Sequence, residues 1–131
     1  MKILMVNRNR GVEGGIERYI ADITEELKRR GNSVDLLCAD CREFQELFSS
    51  LYGLAQIWDG QCSLDAESKI LLQEMLAESK PDIIYLHGVS NAAAIAILSA
   101  HAPTVVYVHD HKLTCPDGKR WLSNPDRKSV V

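Results

Sequence analysis

Nowhere do the 131 residues string together the roughly 20 consecutive apolar positions that a membrane-spanning helix requires. The opening MKILMVNRNR is also too short in apolar length for a secretory leader. These absences predict a cytoplasmic protein, with any membrane contact peripheral. Positive charge is in short supply as well: 15 Lys and Arg stand against 18 Asp and Glu, a net charge of −3. That balance excludes a general nucleic-acid binder, whose affinity needs a broad basic surface. Lys112, Lys119, Arg120, Arg127 and Lys128 form a local exception. They read either as a solvated basic tail or as a patch for phosphates or an anionic membrane surface. Cysteine is sparse too, at positions 38, 41, 62 and 115, with CADC as an isolated CxxC. Without a second pair nearby, a metal or redox role is the weaker reading, and small reduced thiols are expected.

What is present suits a single globular domain over 1–131. Hydrophobic residues make up 46% and charged residues 25%, and the length suffices to bury a core. Lys2 to Asn7 is an apolar run of strand length, of the kind covered on both faces. Ile16, Tyr19, Ile20, Ile23 and Leu27 then recur at helical spacing up to Arg30, and Gly31 supplies a stop. SVDLLCA gives a second strand. Cys41 to Leu51 and Ser63 to Ser79 read as helices, the latter with Leu64, Leu71, Leu72, Met75 and Leu76 available to a core and ended by Lys80-Pro81. DIIYLHG is another buried strand, Ala92 to Ala100 a small-residue helix, and PTVVYVHD the next strand. This alternation predicts an α/β domain: a doubly wound, Rossmann-like, mainly parallel sheet with helices on both faces. Ligands of such sheets bind at the carboxyl ends of the strands, which directs attention to residues 7–15, 39–41, 87–91 and 109–118.

The first of these stretches, GVEGGIERY, sets Gly11, Gly14 and Gly15 between a strand and a helix. A helix N-terminus offers unpaired N–H groups and partial positive charge, so glycines there let the backbone approach a phosphate; a tight turn is the plainer alternative. A phosphate loop of the ATP and GTP type is excluded, because no Lys follows the glycines. The dinucleotide pattern GxGxxG is also unmet, although Asp40 after the second strand suits a ribose-binding acid. His109 and His111 stand at HxH spacing, but two ligands are too few for a metal site.

Two longer stretches, MKILMVN…EGGIERYIADITEELKRRGNSVDLL and PDIIYLHG…APTVVYVHDHKLTCPDGKRW, make the chain similar to the amino-terminal half of family 4 retaining glycosyltransferases, which have the GT-B fold. The resemblance implies a truncated half of that architecture, on the acceptor-binding side, acting with a nucleotide-sugar donor and a sugar or lipid-linked acceptor. It places Gly14 and Gly15 near the donor diphosphate and His109 on the transferred sugar. Asp110 would orient the loop or bind acceptor hydroxyls, and Glu17, His87 and His111 are further candidates for substrate contact. No metal or other cofactor is expected. In the family a carboxyl-terminal domain holds the donor nucleotide through Glu-x7-Glu. Glu17 and Glu25 meet that spacing only within the first helix, and Cys115 lacks the further cysteines that often follow it in relatives. The chain alone is therefore expected to be inactive, with a separate carboxyl-terminal domain or a second copy as partner. A stand-alone nucleotide- or sugar-binding module and a small NAD-dependent enzyme are the alternatives.

Overall fold

The computed structural model describes residues 1–8, 14–39, 46–58 and 63–108. Five strands, β1 (Lys2–Asn7), β2 (Ser33–Cys38), β3 (Leu51–Gly53), β4 (Ile83–His87) and β5 (Thr104–Tyr107), form one sheet in the order β3-β2-β1-β4-β5. Every pairing is parallel. The α/β, Rossmann-like expectation therefore holds.

Alternation along each strand divides the core in two. Ile3, Met5, Val34 and Leu36 meet helix α1 (Gly15–Arg29) through Ile20 and its neighbours on one face. Leu4, Val6, Leu37, Ile84 and Leu86 meet helices α2 (Ala66–Ser79) and α3 (Ala92–His101) through Leu72, Leu76, Ala94 and Leu98 on the other. Because apolar residues fill both faces of β1, β2 and β4, these strands read as continuous hydrophobic runs.

Helix α1 ends as its sequence foretells. Gly31 takes φ +81, its N–H bonds the carbonyl of Lys28, and the N–H of Asn32 bonds that of Leu27, the paired closure of a Schellman motif. Helix α2 ends at Lys80 in the left-handed region, just before Pro81. Near the opposite edge of the sheet from the strands' carboxyl ends, buried Asp35 accepts from Ser79 Oγ at 2.7 Å and pairs with Lys2 Nζ at 3.2 Å, tying β1, β2 and α2 together.

Three expectations need correction. Cys41 to Leu51 does not form a helix in its described part. Residues 46–50 are turns and bends that bond the backbone of β2 (Ser49 N–H to Val34 O, Leu36 N–H to Ser50 O), and Leu51 opens β3. Leu71 lies on the outer side of α2 and is 47% exposed, whereas Leu64, Leu72, Met75 and Leu76 are buried. Cys38 is disulfide-bonded rather than a free thiol, its partner lying outside the described residues.

Candidate functional site

In this strand order α1 leaves β1 along one face toward β2, while α3 leaves β4 along the other toward β5. The carboxyl ends of β1 and β4 are thus the point where the winding reverses and a crevice opens. Their last residues, Asn7 and His87, are partners in register. Both are buried, at 7% and 1% exposure.

Above β1, α1 begins at Gly14, an N-cap with φ −150 and ψ −176 that carries no capping side chain. That φ is extended backbone open to any residue, so a turn needing positive φ does not explain this glycine. The first helical bond runs from Arg18 N–H to Gly14 O at 3.1 Å. The amides of the first turn, Gly15 and Ile16 among them, precede that bond and carry the positive end of the helix dipole. A β-carbon built on Gly15 has nothing within 4 Å. Among the described residues, nothing covers the backbone on that side. A β-carbon on Gly14 would stand 2.9 Å from Glu17 Oε2, so the Glu17 carboxylate, only 5% exposed, is tucked against the N-cap.

His87 sits where the sequence places it, at the end of β4, but its ring is packed among aromatics rather than presented to solvent. Tyr85 lies 4.3 Å away by ring centroid, Tyr107 stacks on it at 5.9 Å, and Tyr19 of α1 approaches to 6.2 Å. The Tyr19 and Tyr85 hydroxyls are hydrogen-bonded at 3.0 Å. Burial first, and then the Tyr19 hydroxyl, pushes the Tyr85 phenol well above its ordinary range, so it stays protonated at ordinary pH. This packing fixes the imidazole from the side of α1.

Across the crevice, α3 starts at Asn91, whose carboxamide accepts from Ala94 N–H at 3.0 Å and donates to Ser63 O at 3.1 Å. Two clefts lined by described residues lie elsewhere. One, about 230 Å³, runs between β3 and α2 beside Tyr52 and Glu78; another, about 490 Å³, separates α2 from α3 along Ala96 and Ala100. Neither gathers the glycine and histidine chemistry of the switch point.

A sequence model of glycosyltransferase family 4 matches residues 13–131. The chain belongs to glycosyltransferase family 4. No curated protein matches it. This family 4 domain accordingly binds a sugar or nucleotide-sugar in general terms, and its parallel sheet is consistent with one half of a GT-B enzyme.

Of the site residues expected from sequence, Gly14, Gly15 and Glu17 gather at the start of α1, and His87 lies at the end of β4. His109, Asp110 and His111 lie outside the described residues, as do Asp40, Cys41 and the basic cluster. No motif in the sequence marks Asn7, Tyr85, Tyr107 or Asn91 individually. The period-two pattern Tyr85-x-His87 beside Val105-x-Tyr107 put the aromatics and the histidine on one face, and was the available signal. No helix among the described residues is long and apolar enough to cross a membrane.

Proposed function

We propose that this family 4 domain is the acceptor-binding half of a retaining transferase that moves a sugar from a nucleotide-sugar to a sugar or lipid-linked acceptor. The observation that carries the reading is the start of α1, where the N-cap is a glycine without a capping side chain and, among the described residues, nothing lies within 4 Å of a β-carbon on Gly15, beside the switch point of a domain of this family. Amides aimed at a leaving diphosphate stabilise the charge that develops as the glycosidic bond breaks, without reorganisation at that moment. In this proposal Gly14 and Gly15 approach the diphosphate, and His109 contacts the transferred sugar. Asp110 orients the loop or binds acceptor hydroxyls, and Glu17, His87 and His111 complete the substrate contacts. No metal is assigned. The donor nucleotide is held mainly by a carboxyl-terminal domain, and closure of the two domains excludes water. The isolated chain then binds ligand without turning it over.

Calorimetric titration with nucleoside diphosphates and nucleotide-sugars, with turnover assayed in parallel, tests this. Saturable binding is expected, weakened at least about tenfold in Gly15→Val because side-chain bulk blocks backbone approach. Transfer should appear only when a donor-binding domain is supplied. Equal affinity in the native chain and Gly15→Val removes the glycines from the site, and turnover by the chain alone refutes its dependence on a second domain.

A further inference from the structure

Trp58 closes a single 3-10 turn, Ala55–Trp58, that follows the carboxyl end of β3. Two backbone bonds hold this turn to the site's end of the sheet: Leu54 N–H bonds Cys38 O at the end of β2, and Ala39 N–H bonds Arg8 O just past β1. Trp58 belongs to the apolar cluster on the α2 and α3 face, with Leu54, Leu64 and Val89, so it lies on the other face of the sheet from α1. It is only 7% exposed and its indole nitrogen is buried, yet Nε1 finds no hydrogen-bond partner among the described residues. An indole N–H can only donate, and when buried it ordinarily has an acceptor. Asp35 Oδ1 is unmet as well, but the other oxygen of that carboxylate is held by Ser79 and Lys2. Trp58 has a single polar group in its side chain, and that group is unmet. The surroundings select the acceptor. A phosphate would bring charge into an apolar cluster, which is costly, whereas a sugar ring brings neutral hydroxyl oxygens together with C–H faces that suit apolar neighbours.

We infer that Trp58 is a specificity-determining residue for the acceptor: its indole N–H donates to a hydroxyl oxygen of the acceptor's sugar ring. Because Nε1 is covered, binding has to turn the indole or shift its cover, and a donor with no bond to break lowers the cost of that movement. The inference rests on the acceptor-binding reading and adds to it a named donor on the face of the sheet opposite α1.

The test is magnetic resonance of the intact chain with isotope-labelled indole nitrogens, Trp121→Phe identifying the Trp58 signal, since Trp58 and Trp121 are the two tryptophans. Methyl glycosides of glucose, galactose and mannose are titrated in one arm and inorganic pyrophosphate in the other. At least one glycoside is expected to move the Trp58 N–H signal downfield and saturably. Trp58→Phe should weaken that glycoside by about 3- to 10-fold, the scale of one neutral hydrogen bond, and leave pyrophosphate binding unchanged. A thermal melt verifies that Trp58→Phe folds; where it does not, the signal of the native indole decides. A glycoside that binds while that signal stays still overturns the inference, as does a panel in which no glycoside moves it. A saturable shift with pyrophosphate alone also overturns it, because the donor then serves a phosphate. In each of these cases, pyrophosphate affinity that falls in Gly15→Val leaves the Gly15 reading standing, and affinity equal in both chains removes that reading too.

Discussion

Two helices start at the same edge of the sheet from extended N-cap residues, and they are finished in opposite ways. The N-cap of α3, Asn91, has φ −74 and ψ 114; that of α1, Gly14, has φ −150 and ψ −176; both are extended. Asn91 is wholly buried and spends its carboxamide on Ala94 and Ser63. Gly14 has no side chain to spend, and among the described residues nothing lies within 4 Å of a β-carbon on the next. A capping side chain stands where a ligand would approach, so a helix end is either satisfied from within or available from outside. The α3 end is satisfied by its own cap residue, whereas the cap residue of α1 contributes no side chain and, among the described residues, nothing lies against Gly15.

The largest effect expected from this contrast is on stability, at Asn91. Asn91→Ala deletes a cap and leaves the buried Ala94 N–H short of its acceptor, for a loss of about 2–3 kcal/mol. In a domain of this size that lowers the thermal midpoint by roughly 8–12 °C. A fall of under about 2 °C would mean that water replaces the cap and that the two helix ends do not differ as argued.

At the open end the same kind of change should cost far less. Gly14→Ala forces only the tip of a flexible side chain, Glu17 Oε2, to yield, and Ala is a somewhat poorer N-cap, so about 0.5–1 kcal/mol is expected. Gly15→Val, projecting into open space at the first helical position, should change stability by no more than about 0.5 kcal/mol while weakening diphosphate binding. Chemical denaturation of both variants measures this. A loss above about 2 kcal/mol in Gly15→Val would show the glycine to be structural.

How much of this contrast the sequence displays depends on how local its causes are. Strands β1, β2 and β4 are legible because coverage on both faces demands unbroken apolar runs, and α1 because period and stop signal agree. Strand β3 is not: three residues, LYG, carry no period, and the preceding segment resembles a helix until the free edge of β2 captures its backbone. Helix α2 sets Ile70, Leu71 and Leu72 in succession, so spacing alone cannot say that Leu72 points inward and Leu71 outward. The site divides along the same line. The glycines and the position of His87 follow from short motifs, whereas burial of its ring comes from Tyr19 and Tyr107, which lie 68 residues before it and 20 after it. The disulfide at Cys38 is equally hidden, since four cysteines do not declare their pairing.

The smallest expected effect sharpens the comparison from the other end of α1, where nothing is left open. Besides the Schellman closure, Glu26 accepts from Arg29 at 2.7 Å and from Arg30 at 2.6 Å. These guanidiniums, Arg29 foremost, hold its carboxyl below the usual carboxylate range. A lowered value means stabilisation that is present above the unfolded carboxyl's titration and disappears as pH falls through the folded one. Glu26→Gln should therefore lower the thermal midpoint at pH 7 by no more than about 2 °C, because solvent screens exposed pairs, and should match the native chain once acid has protonated Glu26. A gap that persists in acid would assign the loss to packing or propensity instead. It would also mean that charge at this closed end does little.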